Sequence, residues 1–264
     1  MSEISQIFLA LSIAMFGFAV LNGLDEKIKS PSLRYPLIAI IAIGLIISFS
    51  MIFEQDWKVH ARLLLKLVLF AWSIHVVNWA VLRGSLSHNL GIQPRKPQGL
   101  IGVICAPFLH GGGEDHVLGN TWVFILLGWL ILIQINAEYF VFVTIVIALI
   151  SGFGTWIFGN KDSRHVGASG LVFGYLGFVL SFAVLNKNFA AVLFALLVTR
   201  AYVNTIKMLF PGQTGEGISW EMHLFGFVGG IVAANLIFRQ PEFVQTLFNE
   251  QVPQWIWPDS MHIQ

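Results

Sequence analysis

One cysteine, Cys105, is all the chain contains. An intramolecular disulfide is therefore excluded, as is a thiolate metal cluster, and the redox compartment stays open. Charge is nearly as scarce: 11% of the 264 residues are charged and the formal net charge is +1, against about 25% charged in soluble proteins. So small a surplus gives no electrostatic footprint for nucleic acid or an acidic partner. No fixed-period repeat or low-complexity tract interrupts the sequence. The first apolar run, Ile4 to Leu24, lacks a basic residue before it and a small-x-small cleavage signature after it, so it reads as a retained span and not a removable signal peptide.

What the chain has is hydrophobic surface, with 56% of residues hydrophobic. Further runs follow at Tyr35 to Phe53, Leu63 to Leu82, Val117 to Ile135, Tyr139 to Gly159, Gly167 to Leu185, Phe189 to Phe210 and His223 to Phe238. Most approach the roughly 20 residues that a helix rising 1.5 Å per residue needs to cross about 30 Å of hydrocarbon. The expectation is an all-α, polytopic membrane helix bundle of about eight spans. Arg83 to His116 is too polar and too broken by Pro94 and Pro97 to cross, but it contains the short apolar stretch Leu100 to Leu109, of a size that lies in the interface or re-enters. A backbone that dips into lipid must be satisfied by protein or water, so this stretch is expected to pack on a cavity.

Two apolar runs open on reactive side chains. Gly167-Ala168-Ser169-Gly170 begins one, and Glu221-Met222-His223-Leu224-Phe225-Gly226 begins another. Alone, the first motif reads more readily as helix packing, because small residues let membrane helices approach and Gly170, Gly174 and Gly177 stand at helical spacing. His223 alone could simply hydrogen-bond a neighbouring helix. Together they suggest more. Ser169 sits in the first turn of its run, where free N–H groups and the positive end of the helix dipole favour a developing oxyanion. Gly226 and Gly230 lie on nearly the same face as His223, so a partner helix can approach beside the imidazole, and a neutral buried imidazole can accept the serine proton.

A third constellation runs from His110 to Asn120 as HGGGEDHVLGN. His116 and Asn120 are four apart at a helix start and point the same way, as two oxyanion donors would. His110, Glu114, Asp115 and His116 are also plausible metal ligands, but the His-Glu-x-x-His spacing is missing, and neither metal nor cofactor is expected. No third triad member is apparent: Glu221 is two positions before His223 and faces away from it on a helix, and Asp162 lies in a short charged turn. Arg200, Asn204 and Lys207 share one helical stripe, read either as snorkelling and internal pairing or as a transport pathway. The paired broken helices of a transporter are not seen.

In order along the chain, Phe108-Leu109-His110 with His116 and Asn120, Gly167-Ala168-Ser169-Gly170, and His223-Leu224-Phe225-Gly226 with Gly230 resemble the motifs of the rhomboid family of intramembrane serine proteases. The resemblance covers roughly Arg62 to Arg239. It implies a six-helix core around a water-filled cavity, with Ser169 as nucleophile and His223 as general base in a dyad. It also implies an oxyanion hole from the Ser169 N–H and the side chains of His116 and Asn120. Gly167, Gly170, Gly226 and Gly230 would support the site. Phe173 stands where many members have a tyrosine, so its ring can stack on the imidazole but lacks the hydroxyl.

On this reading residues 1–61 hold two extra N-terminal transmembrane helices, 62–239 the protease core, and 240–264 a C-terminal tail. The expected substrates are transmembrane proteins cut within the bilayer, and the expected location is the cell membrane. The family's usual orientation puts both core termini in the cytoplasm, opposite to a count of loop lysines and arginines. The first large loop lacks the Trp-Arg pair that some members carry there, which leaves its anchoring open. The alternatives are a non-catalytic binding or chaperone protein on the same fold, told apart by failure to react with a serine-directed probe, and a transporter.

Overall fold

The computed structural model describes residues 57–111, 114–186, 206–212 and 218–249. The expected spans Ile4 to Leu24 and Tyr35 to Phe53, most of Phe189 to Phe210 with Arg200 and Asn204, and the tail from residue 250 lie outside the described residues.

The described chain is all-α. Its helices are α1 (Trp57–Val76, continued by the π-turn Val77–Val81), α2 (Ser85–Leu90), α3 (Gly102–Cys105, flanked by 3-10 turns Pro97–Ile101 and Ala106–Phe108) and α4 (Glu114–Leu132). Then come α5 (Ala137–Phe158), α6 (Ser169–Asn186), the 3-10 turn Lys207–Leu209, α7 (Trp220–Arg239) and α8 (Pro241–Asn249). Among the described residues four helices are long and apolar enough to cross a membrane: Lys58–Val81, Ala137–Phe158, Ser169–Asn186 and Trp220–Arg239. Each matches a run expected from sequence, within a few residues at its ends. The exposed apolar side chains of α1, among them Leu65, Leu69, Phe70 and Trp79, form the face such a helix turns to lipid.

Small residues set how these helices pack. Gly170 and Gly174 on α6 face Gly226 and Gly230 on α7, one glycine pair per turn. A Cβ on Gly226 would run into the Gly170 carbonyl, and one on Gly230 into the Gly174 carbonyl. The pairing rises along both helices together, so α6 and α7 run parallel and begin at the same end. Ser151 on α5 closes the junction, its Oγ donating to the Met222 carbonyl at 2.9 Å. Farther along, the fully buried Tyr175 shares a 2.7 Å hydrogen bond with Thr144 and lies between Phe124 and Phe140, each ring centroid 5.4 Å away.

The stretch expected to dip into lipid forms the short helical run Pro97–Phe108, packed against α5 where Gly152 leaves room for Val103. Beside it is a narrow recess of about 10 Å³, room for about one water molecule, lined by Ile92, Val103, Ser151, Gly167, Gly170 and Met222. The stretch expected to pack on a cavity lines this small recess, at the start of α6.

Candidate active site

The loop between α5 and α6 delivers Ser169. It is tied to the first large loop at two points: His165 and Ile92 exchange backbone bonds of 2.9 and 3.0 Å, and the Gly167 N–H donates to the Ala106 carbonyl at 2.9 Å. Gly167 has φ +130°, which a side chain would strain, and this explains glycine at the motif's first position. The chain then turns into α6 with Ser169 in its first turn, partly exposed.

The α7 start delivers His223. Ser219 caps the helix by accepting from the Met222 N–H at 3.1 Å. His223, 2% exposed, follows one turn later. Its ring stacks on Phe173, with centroids 4.2 Å apart and planes 21° from parallel. Phe173 is one turn beyond Ser169 on α6, so the stack places the imidazole on the serine's side of that helix. Ser169 Oγ lies 3.9 Å from the thioether of Met222, the residue next to His223.

His223 Nδ1 is 3.2 Å from the Met208 carbonyl oxygen. A carbonyl only accepts, so Nδ1 carries the hydrogen and Nε2 has the lone pair. That is the tautomer a general base needs. A backbone carbonyl thus orients the ring where a triad would use a carboxylate, and no side-chain motif announces it in the sequence.

Asn120 lies one turn before Phe124 on α4, and Leu171 lies one turn before Phe124's neighbour Tyr175 on α6. Since both helices begin at the site end, Asn120 stands level with the α6 N-terminus. Its Nδ2 is buried and has no hydrogen-bond partner among the described residues. A buried amide donor without a partner is costly unless something else, such as water or a reacting carbonyl, takes the bond. His116 occupies the first turn of α4, and its side chain lies outside the described residues, with those of Glu114 and Asp115. His110, also considered as a ligand, is buried with its ring edge-on to His75, centroids 5.9 Å apart.

The first large loop is anchored instead to the end of α5, through bonds between distant positions. The Trp156 indole donates to the Lys96 carbonyl at 2.9 Å, and Arg95 donates from its backbone N–H to the Trp156 carbonyl at 2.9 Å and from Nη1 to the Ile157 carbonyl at 2.8 Å. Arg95 has φ +59°, a conformation that costs about 1–3 kcal/mol and persists only when neighbours enforce it. Arg95 and Ile157, whose carbonyl it binds, lie 62 positions apart, out of reach of any local motif.

The rhomboid domain family matches residues 97–240 of the chain. An uncharacterized protein of Mycobacterium tuberculosis is 36% identical over 188 residues, covering 69% of this chain and 76% of the relative. A Mycobacterium leprae protein is 32% identical over 188 residues, covering 69% and 72%. RHOMBOID-like protein 1 of Arabidopsis thaliana is 32% identical over 143 residues, covering 52% of this chain and 34% of the relative. No solved structure matches.

Proposed function

The chain belongs to the rhomboid family, and on that premise we propose that it is an intramembrane serine endopeptidase working through a Ser169–His223 dyad and an acyl-enzyme. The observation that carries the reading is the parallel crossing of α6 and α7 on paired glycines, with Phe173 stacked on His223. That crossing brings the starts of two apolar helices together, one bearing a hydroxyl and the other an imidazole in the proton-accepting tautomer.

His223 Nε2 takes the Ser169 proton as Oγ attacks the scissile carbonyl. The oxyanion forms beside the Ser169 N–H at the α6 N-terminus, where the helix dipole favours negative charge, and within the reach assigned to Asn120 Nδ2 and His116. The imidazolium then gives its proton to the departing amine, leaving the acyl-enzyme. Water attacks the ester carbonyl with His223 again as base, and the proton returns to Ser169 Oγ as the new carboxyl terminus leaves. Gly167, Gly170, Gly226 and Gly230 keep the backbones close enough for this exchange.

The substrates are transmembrane proteins, cut where a helix can unwind at a small residue near a membrane face, because an intact helix hides its peptide bonds. On the same reading residues 62–239 are the catalytic core, set in the cell membrane. The test is covalent labelling of the purified protein by a fluorophosphonate probe, with the modified residue located by mass spectrometry. Labelling at Ser169, together with loss of cleavage of a transmembrane substrate in Ser169→Ala and in His223→Ala, supports the dyad. Full activity in either variant rejects it, and a folded protein that neither labels nor cleaves would be a non-catalytic member of the family.

A further inference from the structure

In its last turns α1 shows an apolar side outward and a polar stripe inward. Val76, Val77 and Trp79 are exposed, whereas His75 and Asn78 are buried and Trp72 is half-buried. A polar side chain inside a membrane bundle is costly unless it is bonded. The bonds of Trp72 and Asn78 lead to the two ends of one segment, His110 to Thr121.

At the far end, the Trp72 indole donates to Thr121 Oγ1 at 3.0 Å. The Thr121 hydroxyl gives its own hydrogen to the Val117 carbonyl at 2.8 Å, so toward the indole it acts as acceptor. These bonds hold the turn Val117 to Thr121 of α4, and Asn120 stands within it. At the near end, the Asn78 amide donates to Ser87 Oγ at 2.8 Å and accepts from the Leu86 N–H at 2.9 Å. Ser87 Oγ in turn donates to the His110 carbonyl at 3.2 Å. Between the two ends, His75 meets the rings of Trp72 and His110 edge-on, with centroids 5.9 Å apart in each case. Gly111, the next residue, lies against the nucleophile's loop, where a Cβ would stand 3.2 Å from Val166 Cγ2.

One face of α1 thus grips both ends of the segment that carries the oxyanion donors assigned above. We propose that Trp72 and Asn78 are positioning residues for Asn120, with α1 setting the height and rotation of the α4 start through Thr121 at one end and through Ser87 and the His110 carbonyl at the other. Such a device matters because a catalytic group has to be held within about 0.5 Å of its productive place. The proposal rests on the dyad reading and on Asn120 as an oxyanion donor.

The test measures kcat, KM and Tm of the full chain in detergent for Trp72→Phe, which keeps a ring and deletes the indole donor, and for Ser87→Ala, each alone and combined with Asn120→Ala. Either single variant should lower kcat roughly tenfold with KM little changed, as a misplaced transition-state donor does. In the Asn120→Ala background the same substitution should change kcat by less than about twofold, because the group it positions is gone. Thr121→Val deletes the acceptor of the indole bond; it should match Trp72→Phe and replaces it if that variant does not fold. Wild-type kcat in either single variant, with or without a lower Tm, overturns the positioning role, and so does a full loss repeated in the Asn120→Ala background. If the wild type cleaves nothing, or Ser169→Ala still cleaves, the dyad reading fails. If Ser169→Ala and His223→Ala are inactive while Asn120→Ala turns over normally, the oxyanion assignment alone fails. The positioning role falls with either.

Discussion

Gly226→Ala probes the contact on which the site depends. A Cβ there would stand 2.9 Å from the Gly170 carbonyl carbon and closer still to its oxygen, whereas ordinary contact begins at 3.4 Å. The obstacle is helix backbone, which cannot swing aside as a flexible side chain would. The helices must therefore part by more than the 0.5 Å shortfall on the carbon alone. Overpacking of this kind costs about 1–3 kcal/mol, partly offset by the gain of about 0.8–1.0 kcal/mol that alanine brings to a helix interior over glycine. The net loss of up to about 2 kcal/mol should lower Tm by a few degrees, at about 2–4 °C per kcal/mol for a protein of this size. Activity should suffer more, because Gly226 is one turn from His223 and Gly170 adjoins Ser169; a misplacement of about 1 Å can cost roughly 100-fold. The assay is kcat on a transmembrane substrate beside thermal unfolding of the same preparation. Gly119→Ala is the control: a Cβ there meets nothing within 4 Å, so stability should hold or rise by up to about 1 kcal/mol. Wild-type turnover and Tm in Gly226→Ala would refute the close crossing.

If Asn120 Nδ2 donates to the oxyanion, Asn120→Ala should lower kcat by roughly 100- to 1,000-fold, about 2.7–4 kcal/mol, with little change in KM; normal turnover with a lower Tm would make it a packing residue. Chelators should leave proteolysis unchanged, and a loss restored by zinc would revive the ligands considered at His110, Glu114, Asp115 and His116. Because burial holds His165 below its ordinary value of 6.5, the unfolded chain binds more protons there on acidification. The stability this group contributes is thus complete above about pH 6.5 and is lost as pH falls from there through its folded value. Comparing Tm at about pH 7.5 and about pH 5.5 should give a smaller acid drop in His165→Gln than in wild type, and equal drops would contradict the assignment.

The sequence displayed those parts of the molecule whose signal is local. Apolar runs placed α1, α4, α5, α6 and α7, and the glycine spacing on either side of Ser169 and His223 announced the helix faces that meet. The short stretch Leu100 to Leu109 gave itself away by length, and it lines a small recess at the start of α6. Partners brought in by tertiary folding were not legible. The Trp156 indole reaches the Lys96 carbonyl from the far end of α5, and Met208 offers His223 a backbone carbonyl that every residue type possesses.

If the proposed dyad holds, the surroundings of His223 bear on how two side chains could serve where soluble serine proteases use three. A carboxylate behind His223 would have to be held charged beside an imidazole that is 2% exposed, and the cost of desolvating it would offset much of its attraction for the imidazolium. The carboxylate's other task, fixing tautomer and ring orientation, needs no charge. The Met208 carbonyl supplies the acceptor for Nδ1, and the face of Phe173 holds the ring plane. A hydroxyl on residue 173 is not needed for that stacking, which depends on the ring alone. A neutral acceptor such as the Met208 carbonyl does not stabilise a transient imidazolium as a carboxylate would, so on the proposed mechanism oxyanion donors fixed in advance should matter more. On that proposal the amide of Asn120, without a hydrogen-bond partner among the described residues, is the side chain on which the rate should depend most after the dyad itself.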